Sequence, residues 1–463
     1  MARFLPPATP AARIDPGRSL LLTDLYQLTM LEAYLERGVT GTAVFEFFVR
    51  RLPERRGFLI AAGLEQAIQF LETVRLSQQE LVWLEASGRF KPATLDWLAG
   101  FRFTGDVDAM PEGTAVFQNE PIVRISAPLP MAQIVESRLI NVLHYQTLVA
   151  SKAARMVLAA PGKRLVDFGL RRAHEAEAGL MAARASYIAG FDGTATALAG
   201  LLWDIPVSGT MAHSFVQAFD DEAEAFAVFA QARPHGVTLL LDTYDTVAAA
   251  RKVVALAPRL AARGVRIEGV RLDSGDLGAL SRSVRALLDA GGLEHVTIFA
   301  SGGLDEDDLL ALVRAGAPID GFGVGTSLTT SSDVPALDCA YKLEAYAGVP
   351  RRKLSPGKAT WPGRKQVWRR FAADGRLAQD VLSTADDEQE GRPLIAPVMR
   401  SGRRLSPPES LATIRARAAT ELATLPQPMR RLEPVSYSVE VSSRLRRLAE
   451  EVDARLLAQG ATA

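Results

Sequence analysis

One cysteine in 463 residues, Cys339, leaves no possibility of an internal disulfide and cannot alone supply the usual kind of thiolate metal site. A reducing compartment is the natural expectation. No uninterrupted apolar run reaches the roughly 18 residues of a spanning helix. The N-terminal MARFLPPATPAARIDPGRS likewise lacks the continuous apolar stretch of a signal peptide. The expectation is a soluble cytoplasmic protein with no membrane partner. An excess of either charge is also missing, with 53 Lys plus Arg against 53 Asp plus Glu. Without a global field, nucleic acid and anionic lipid are not expected partners, and any anion must be held by a local cluster. His144, His174, His235 and His295 show no paired metal spacing and receive no role.

Residues 1–17 carry four prolines and read as a loose arm. Periodicity begins with LLTDLYQLTMLEAYLERG, where Thr23 or Asp24 can cap a helix that Gly38 ends. TAVFEFFVRRLP alternates like a strand, two helical segments fill about 60–100, and short antiparallel strands follow to about 125. A long helix is expected over Met131–Ala159.

The rhythm then changes. Short apolar runs near 167, 192, 208, 240, 270, 299 and 323 alternate with helical segments, the pattern of parallel βα units. About seven in series favour a closed or nearly closed barrel. Each run ends in a polar or glycine cluster, and in a βα barrel those positions converge on the rim at the carboxyl ends of the strands. The expected division is 1–17, an α/β domain over 18–140, a (β/α) barrel over 141–345, and a 346–463 segment that completes the N-terminal domain and adds charged helices.

Ser301-Gly302-Gly303 and Gly323-Val324-Gly325-Thr326 leave free amides for a phosphate, or else are structural turns. RLDSGD places Arg271, Asp273 and Asp276 at a strand end, suited either to a phosphate clamp with Mg²⁺ or to an Arg-Asp pair closing the rim. The Asp242-Thr243-Tyr244-Asp245 cluster has the same two readings. GTMAHSF puts His213 at a helix start, where a neutral nucleophilic or basic ring is plausible, although a lone histidine is more often structural. In DFGLRRAH, Phe168 beside Arg171 and Arg172 suits a flat anionic ring, or is a core Phe with solvated arginines.

TDLYQLTM at 23–30, FEFFVRRLP at 45–53, DFGLRRAH at 167–174, GFDGT at 190–194, VSGTMAHSF at 207–215, RLDSGD, SGG and GFGVGTSL at 321–328 together resemble the nicotinate phosphoribosyltransferase family. The resemblance spans about 20–370. It implies an α/β fold, an irregular (β/α) barrel beside a second α/β (α+β) domain, in a homodimer with shared active sites. It implies that nicotinate and phosphoribosyl pyrophosphate yield nicotinate mononucleotide and pyrophosphate for NAD biosynthesis, with ATP as co-substrate and Mg²⁺. His213 matches the family's transiently phosphorylated histidine, with Asp242 expected to orient it. Phe168 and the partner subunit's Tyr26 would sandwich the ring, and Arg171 would meet its carboxylate. Arg50 and Arg271 would bind the diphosphate, Asp273 its ribose or metal, and Gly303, Gly323 and Gly325 the 5′-phosphate. Thr194, Ser301, Gly302 and Thr326 complete the substrate set, and Asp273 with Asp276 are the Mg²⁺ candidates.

Nicotinamide-using relatives carry an acidic residue after the Gly-Thr of GFDGT, whereas here Ala195 follows Thr194, favouring the acid. Phe215 replaces a tryptophan common in the family. Quinolinate or nicotinamide chemistry, or a silent binding member, are the alternatives. The basic loop 350–366 reads equally as a diphosphate contact or a solvated surface.

Overall fold

The computed structural model describes residues 14–355 and 358–460, so most of the expected arm and Pro356–Gly357 of the basic loop lie outside the described residues. The chain divides into two units. The first comprises residues up to Tyr145, Leu337–Ser410 and the segment from Ser436 on; the second comprises Gln146–Ala336 with Leu411–Val435.

In the first unit the strand Thr42–Val49 lies inside a mostly antiparallel sheet, paired with Cys339–Tyr346 on one side and Val123–Pro128 on the other. Its residues from Ala43 to Val49 are all buried, which a simple alternation does not anticipate; both faces of this strand are covered. Leu25–Glu36 forms the first helix, with Asp24 at the N-cap making no capping bond and instead accepting from Ser137 Oγ at 2.8 Å. Ser77 and Glu80 form a reciprocal capping box at Gln78–Ser87. The expected helix over 131–159 is two, Leu129–Ile134 and Glu136–Ala159. At the break the buried Glu136 carboxylate accepts from Gln27 Nε2 at 2.7 Å and Gln133 Nε2 at 2.6 Å.

Three expected boundaries shift. The first division falls within a helix, after Tyr145 rather than at 140. Cys339–Tyr346 leaves the barrel segment because its ladder to Thr42–Val49 ties it to the first unit. Conversely, Leu411–Thr424 does not complete the N-terminal domain, since it packs on Ala176–Ala189 in the second unit.

Lys365 lies between two buried carboxylates of the first unit, 2.8 Å from Glu46 Oε2 and 3.7 Å from Glu344 Oε2. Burial pushes Glu344 up to about 8, with Lys365 opposing the shift and Glu46 adding to it. The folded chain therefore holds a proton that the unfolded chain releases above the ordinary glutamate range. Stability must fall as pH rises from that range towards about 8. Urea melts across this window should show the decline, and Glu344→Gln should flatten it. A wild-type slope retained in the variant would refute the assignment.

The second unit is a parallel sheet in the order Gly193–Thr194, Arg164–Asp167, Gly321–Val324, Thr297–Ala300, Ile267–Leu272, Val237–Leu240. The last strand of this sheet in chain order, Gly321–Val324, pairs with its first, Arg164–Asp167, the wrap-around of a barrel. Six strands form among the described residues rather than seven. The run at 205–210 contributes only a bridge between Val207 and Thr194, and no ladder joins Val207 to Val237–Leu240. Pro206 has no N–H to donate, and the bridge rests on Thr194 N to Pro206 O and Ser208 N to Thr194 O. The fold is thus a half-barrel parallel sheet in a mixed α/β chain. Among the described residues no helix is long and apolar enough to cross a membrane.

Candidate functional site

Each strand of the second unit delivers its last residues to one rim. Arg271, the penultimate residue of Ile267–Leu272, organises that rim. Its Nε donates to Ser301 Oγ at 2.9 Å, Nη1 to Thr210 Oγ1 at 3.2 Å and Nη2 to Asp273 Oδ1 at 2.8 Å. Its guanidinium carbon also stands 5.5 Å from the Phe168 ring centroid. Three strand ends and the loop that carries Thr210 meet through one side chain.

Asp273 is half-buried. Burial works against its charge, but the hydrogen bonds from Arg271 and Ser301 and the nearby Arg271 and His213 hold its carboxyl below the usual aspartate range. It is an anion at neutral pH. His213 opens the short helix His213–Gln217, with Nδ1 3.2 Å from Thr243 Oγ1 and Nε2 3.7 Å from Asp273 Oδ2. The expectation that Asp242 orients His213 is therefore corrected. Asp242 Oδ2 instead accepts from Asp273 N at 3.2 Å and Ser274 Oγ at 2.5 Å, which directs the carboxylate to the loop after the next strand.

Phe168 is partly exposed on the same rim, its ring 5.8 Å from Phe299. The loop beneath it is pinned by Asp167, whose Oδ1 accepts from Gly169 N at 2.8 Å and whose Oδ2 accepts from Thr194 Oγ1 at 2.7 Å. Burial raises the Asp167 pKa, with the bonds from Thr194 and Gly169 opposing it. Thr194 is fully buried, and its hydroxyl serves Asp167, so it positions the ring loop rather than meeting a substrate. Asp167, Thr210 and Phe299 join the site through these contacts although no motif singles them out, and Thr243 does so from the Asp242–Asp245 cluster. For Asp167 the signal was present, as it ends a strand immediately before Phe168.

The glycines have separate reasons. A Cβ on Gly323 would come within 2.5 Å of the Phe168 ring, and one on Gly325 within 3.2 Å of Phe168 O, so both seat the aromatic residue. Gly302, at φ +104°, would place a Cβ 1.9 Å from Asp273 O; Gly303, at φ +70°, faces open space and leaves room for a ligand. Gly302→Ala should therefore push the Asp273 loop away from Arg271 and reduce turnover severely while leaving the fold intact. Circular dichroism with steady-state kinetics checks this, and wild-type turnover would contradict it.

Arg171 is exposed in the 3₁₀ turn Leu170–Arg172, and Thr326 is exposed at the start of Thr326–Thr329. Asp276 caps the helix Leu277–Ala290, its Oδ1 accepting from Ala279 N at 2.9 Å. Among the described residues no group of three or more His, Cys, Asp or Glu is placed to hold a metal ion. One oxygen does remain open, because buried Asp242 Oδ1 has no hydrogen-bond partner. Tyr26 and Arg50 belong to the first unit. Tyr26 is exposed, its OH 3.5 Å from Glu136 Oε2, and Arg50 pairs with Asp338 at 3.0 Å.

Such a rim combines a cation held in a fixed fork, an anionic carboxylate, an imidazole and a shelf for a flat ring. It suits an anionic, phosphate-bearing substrate and an aromatic partner.

Comparison with known proteins gives the same direction. The family profiles described as nicotinate phosphoribosyltransferase N-terminal domain, nicotinate phosphoribosyltransferase family and nicotinate phosphoribosyltransferase C-terminal domain match residues 21–144, 163–351 and 388–449. The nicotinate phosphoribosyltransferase pncB2 of Mycobacterium tuberculosis is 50% identical over 428 residues, covering 92% of each chain. The crystal structure of human nicotinic acid phosphoribosyltransferase superposes with a TM-score of 0.83 at 31% identity, covering 93% of this chain and 99% of the human one. The nicotinate-nucleotide pyrophosphorylase of Pyrococcus furiosus superposes with a TM-score of 0.73 at 25% identity, covering 92% and 99%.

Proposed function

We propose, from the premise that this chain belongs to the nicotinate phosphoribosyltransferase family, how its rim performs the transfer of a phosphoribosyl group to nicotinate in NAD biosynthesis. The observation that carries the reading is Arg271, bonded at once to Asp273, Ser301 and Thr210 and lying beside Phe168. Nicotinate lies on the Phe168 face with its carboxylate towards Arg171. Phosphoribosyl pyrophosphate places its diphosphate near Arg271 and its 5′-phosphate at the open amides around Gly303.

Loss of pyrophosphate develops oxocarbenium character at the anomeric carbon. Arg271 stabilises the departing negative charge, and Asp273 faces the developing positive charge. The pyridine nitrogen attacks without a general base, because its lone pair is already free. The donor set accommodates Mg²⁺, since Asp273 is anionic and the open Asp242 Oδ1 is a hard oxygen ligand. When bound, the ion would neutralise diphosphate charge, with substrate oxygens filling most of its shell.

His213 is the group that ATP phosphorylates in this reading. In the tautomer whose Nδ1–H donates to Thr243 Oγ1, Nε2 carries the lone pair, attacks the γ-phosphorus and releases ADP. The phosphoryl group then adds negative charge close to Asp273 and Arg271, so phosphorylated and free states bind substrates and products with different affinities. Hydrolysis of the phosphohistidine returns the ring and releases phosphate. The chain assembles as a homodimer, with Tyr26 of one protomer completing the ring sandwich of its partner. Exposed Leu22 and Leu25 beside Tyr26, and exposed Leu198, Leu201 and Leu202 on Ala197–Trp203, support an apolar contact surface.

Parallel assays with nicotinate, nicotinamide and quinolinate, each with and without ATP, test the whole reading. Nicotinate mononucleotide should form and be stimulated by ATP; product only from quinolinate would overturn it. His213→Ala should lose ATP stimulation and phosphate incorporation while retaining residual transfer, and unchanged ATP coupling would remove the phosphohistidine. Ala195, exposed on the rim and hydrogen-bonded through its N–H to Asp167 O, sets the acid preference. Ala195→Asp should lower kcat/KM for nicotinate by roughly tenfold or more through repulsion of its carboxylate. An unaltered value for nicotinate would show that this position does not read the substrate.

A further inference from the structure

The second unit carries a cavity of about 1020 Å³ that none of the rim residues lines. It opens beside Arg164 and Leu165, the first residues of the strand Arg164–Asp167, and therefore at the amino ends of the parallel strands. The rim lies at the other end of that strand, on the order of 10 Å away at a strand's rise per residue. Helix Leu411–Thr424 and the turn after it close the far side, contributing Leu422 and Arg430.

The cleft differs from an ordinary groove in its charge. Asp192 is the sole acidic residue among its lining, and it is already satisfied. Its Oδ1 accepts from Arg415 Nη2 at 3.1 Å and its Oδ2 from Leu165 N at 2.9 Å. Arg415 is consumed as well, because it donates to the carbonyls of Tyr187, Gly190 and Phe191 in and just beyond the last turn of the helix Ala176–Ala189. Once that pair is set aside, Lys163, Arg164 and Arg430 remain. None of the three has a carboxylate partner among the described residues; Arg164 makes only a 3.4 Å bond to Ser208 Oγ.

Three cations without carboxylate partners around one hollow make a local positive field that favours an anion. Apart from Gln427 the side chains of the remaining wall are apolar, with Val157, Leu158 and Leu422 beside the cations as a surface for a flat ring. The volume is at the upper end of small-ligand sites and well above what inorganic phosphate needs. We infer that this cleft is a second binding site, separate from the catalytic rim, for a nucleoside monophosphate, with its phosphate among Lys163, Arg164 and Arg430 and its base on the apolar wall.

The test is calorimetric titration of the full-length protein with adenosine monophosphate and, separately, with inorganic phosphate. Lys163→Glu combined with Arg430→Glu reverses two charges without touching the rim. Ala419→Trp fills the cleft with bulk from its helical side and keeps every charge. Both variants should lose one class of adenosine monophosphate site, weakened by roughly tenfold or more, and both should keep the wild-type kcat measured without added nucleotide. Adenosine monophosphate should bind the wild type more tightly than phosphate does. Isotherms of the two variants that superimpose on the wild type would overturn the site. Equal affinity for phosphate and the nucleotide would overturn the nucleotide as its occupant.

Discussion

Arg271→Ala should lower kcat/KM for phosphoribosyl pyrophosphate by roughly 10²–10³-fold, the cost of removing a preorganised charge from developing negative charge. The expectation rests on geometry, since one guanidinium meets Ser301, Thr210 and Asp273 while lying beside the Phe168 ring. Removing it leaves Asp273 with only Ser301 and His213 against its burial, so the carboxyl rises from its lowered position. The acid limb of the pH–rate profile should therefore move upwards in the variant. Arg271→Lys separates charge from shape, since an ammonium keeps the charge but cannot span three acceptors in a plane. It should recover only a minor part of the loss. Steady-state kinetics decides the point, and a kcat/KM within a few fold of wild type in the alanine variant would remove Arg271 from the mechanism.

Lys152→Met should have the largest effect on stability, about 3–5 kcal/mol, the usual cost of removing one partner from a buried ion pair. Lys152 is almost wholly buried, with Nζ 2.5 Å from Glu306 Oε2 and 2.8 Å from Asp333 Oδ1. Glu306 lies in the first turn of the helix after Ser301-Gly302-Gly303, and Asp333 follows the Gly323–Thr326 loop and its short helix. Arg155 approaches Glu306 at 3.4 Å but cannot replace the bond to Asp333. Both glycine loops are thereby tied to Glu136–Ala159 through one ammonium. Its loss should lower the denaturation midpoint and raise KM for the phosphorylated substrate in any protein that still folds. A variant that melts with the wild type would show that the three charges are individually solvated.

The parallel βα series and the gathering of Phe168, His213, Asp242, Arg271, Asp273 and Ser301 on one rim were legible in the sequence, because strands and helices have different hydrophobic periods and strand ends in such folds share one side. Partners were less legible. Asp242 and His213 stand in adjacent rim segments, and a carboxylate near a histidine suggests a pair. The backbone turns Asp242 towards Asp273 N and leaves His213 to Thr243 and Asp273. Thr194 sits in a substrate-like motif yet is consumed inside by Asp167. The seventh strand does not form, because an apolar run reports burial tendency but not whether a neighbour's amides are in register, and Pro206 supplies none.

A chain neutral overall, with one cysteine and no spanning run, determined by itself that any anion must be met locally and that βα units would gather the groups that meet it. Composition and periodicity are properties of the chain read in order, and they suffice for that. Only the tertiary structure decided which carboxylate faces His213, why Gly302 and Gly323 must lack a side chain, that Leu411–Thr424 packs in the second unit, and that Lys163, Arg164 and Arg430 share a cleft whose one acid, Asp192, is already bonded to Arg415. Those contacts join residues tens to hundreds of positions apart, and their directions are set by packing, which no local pattern encodes.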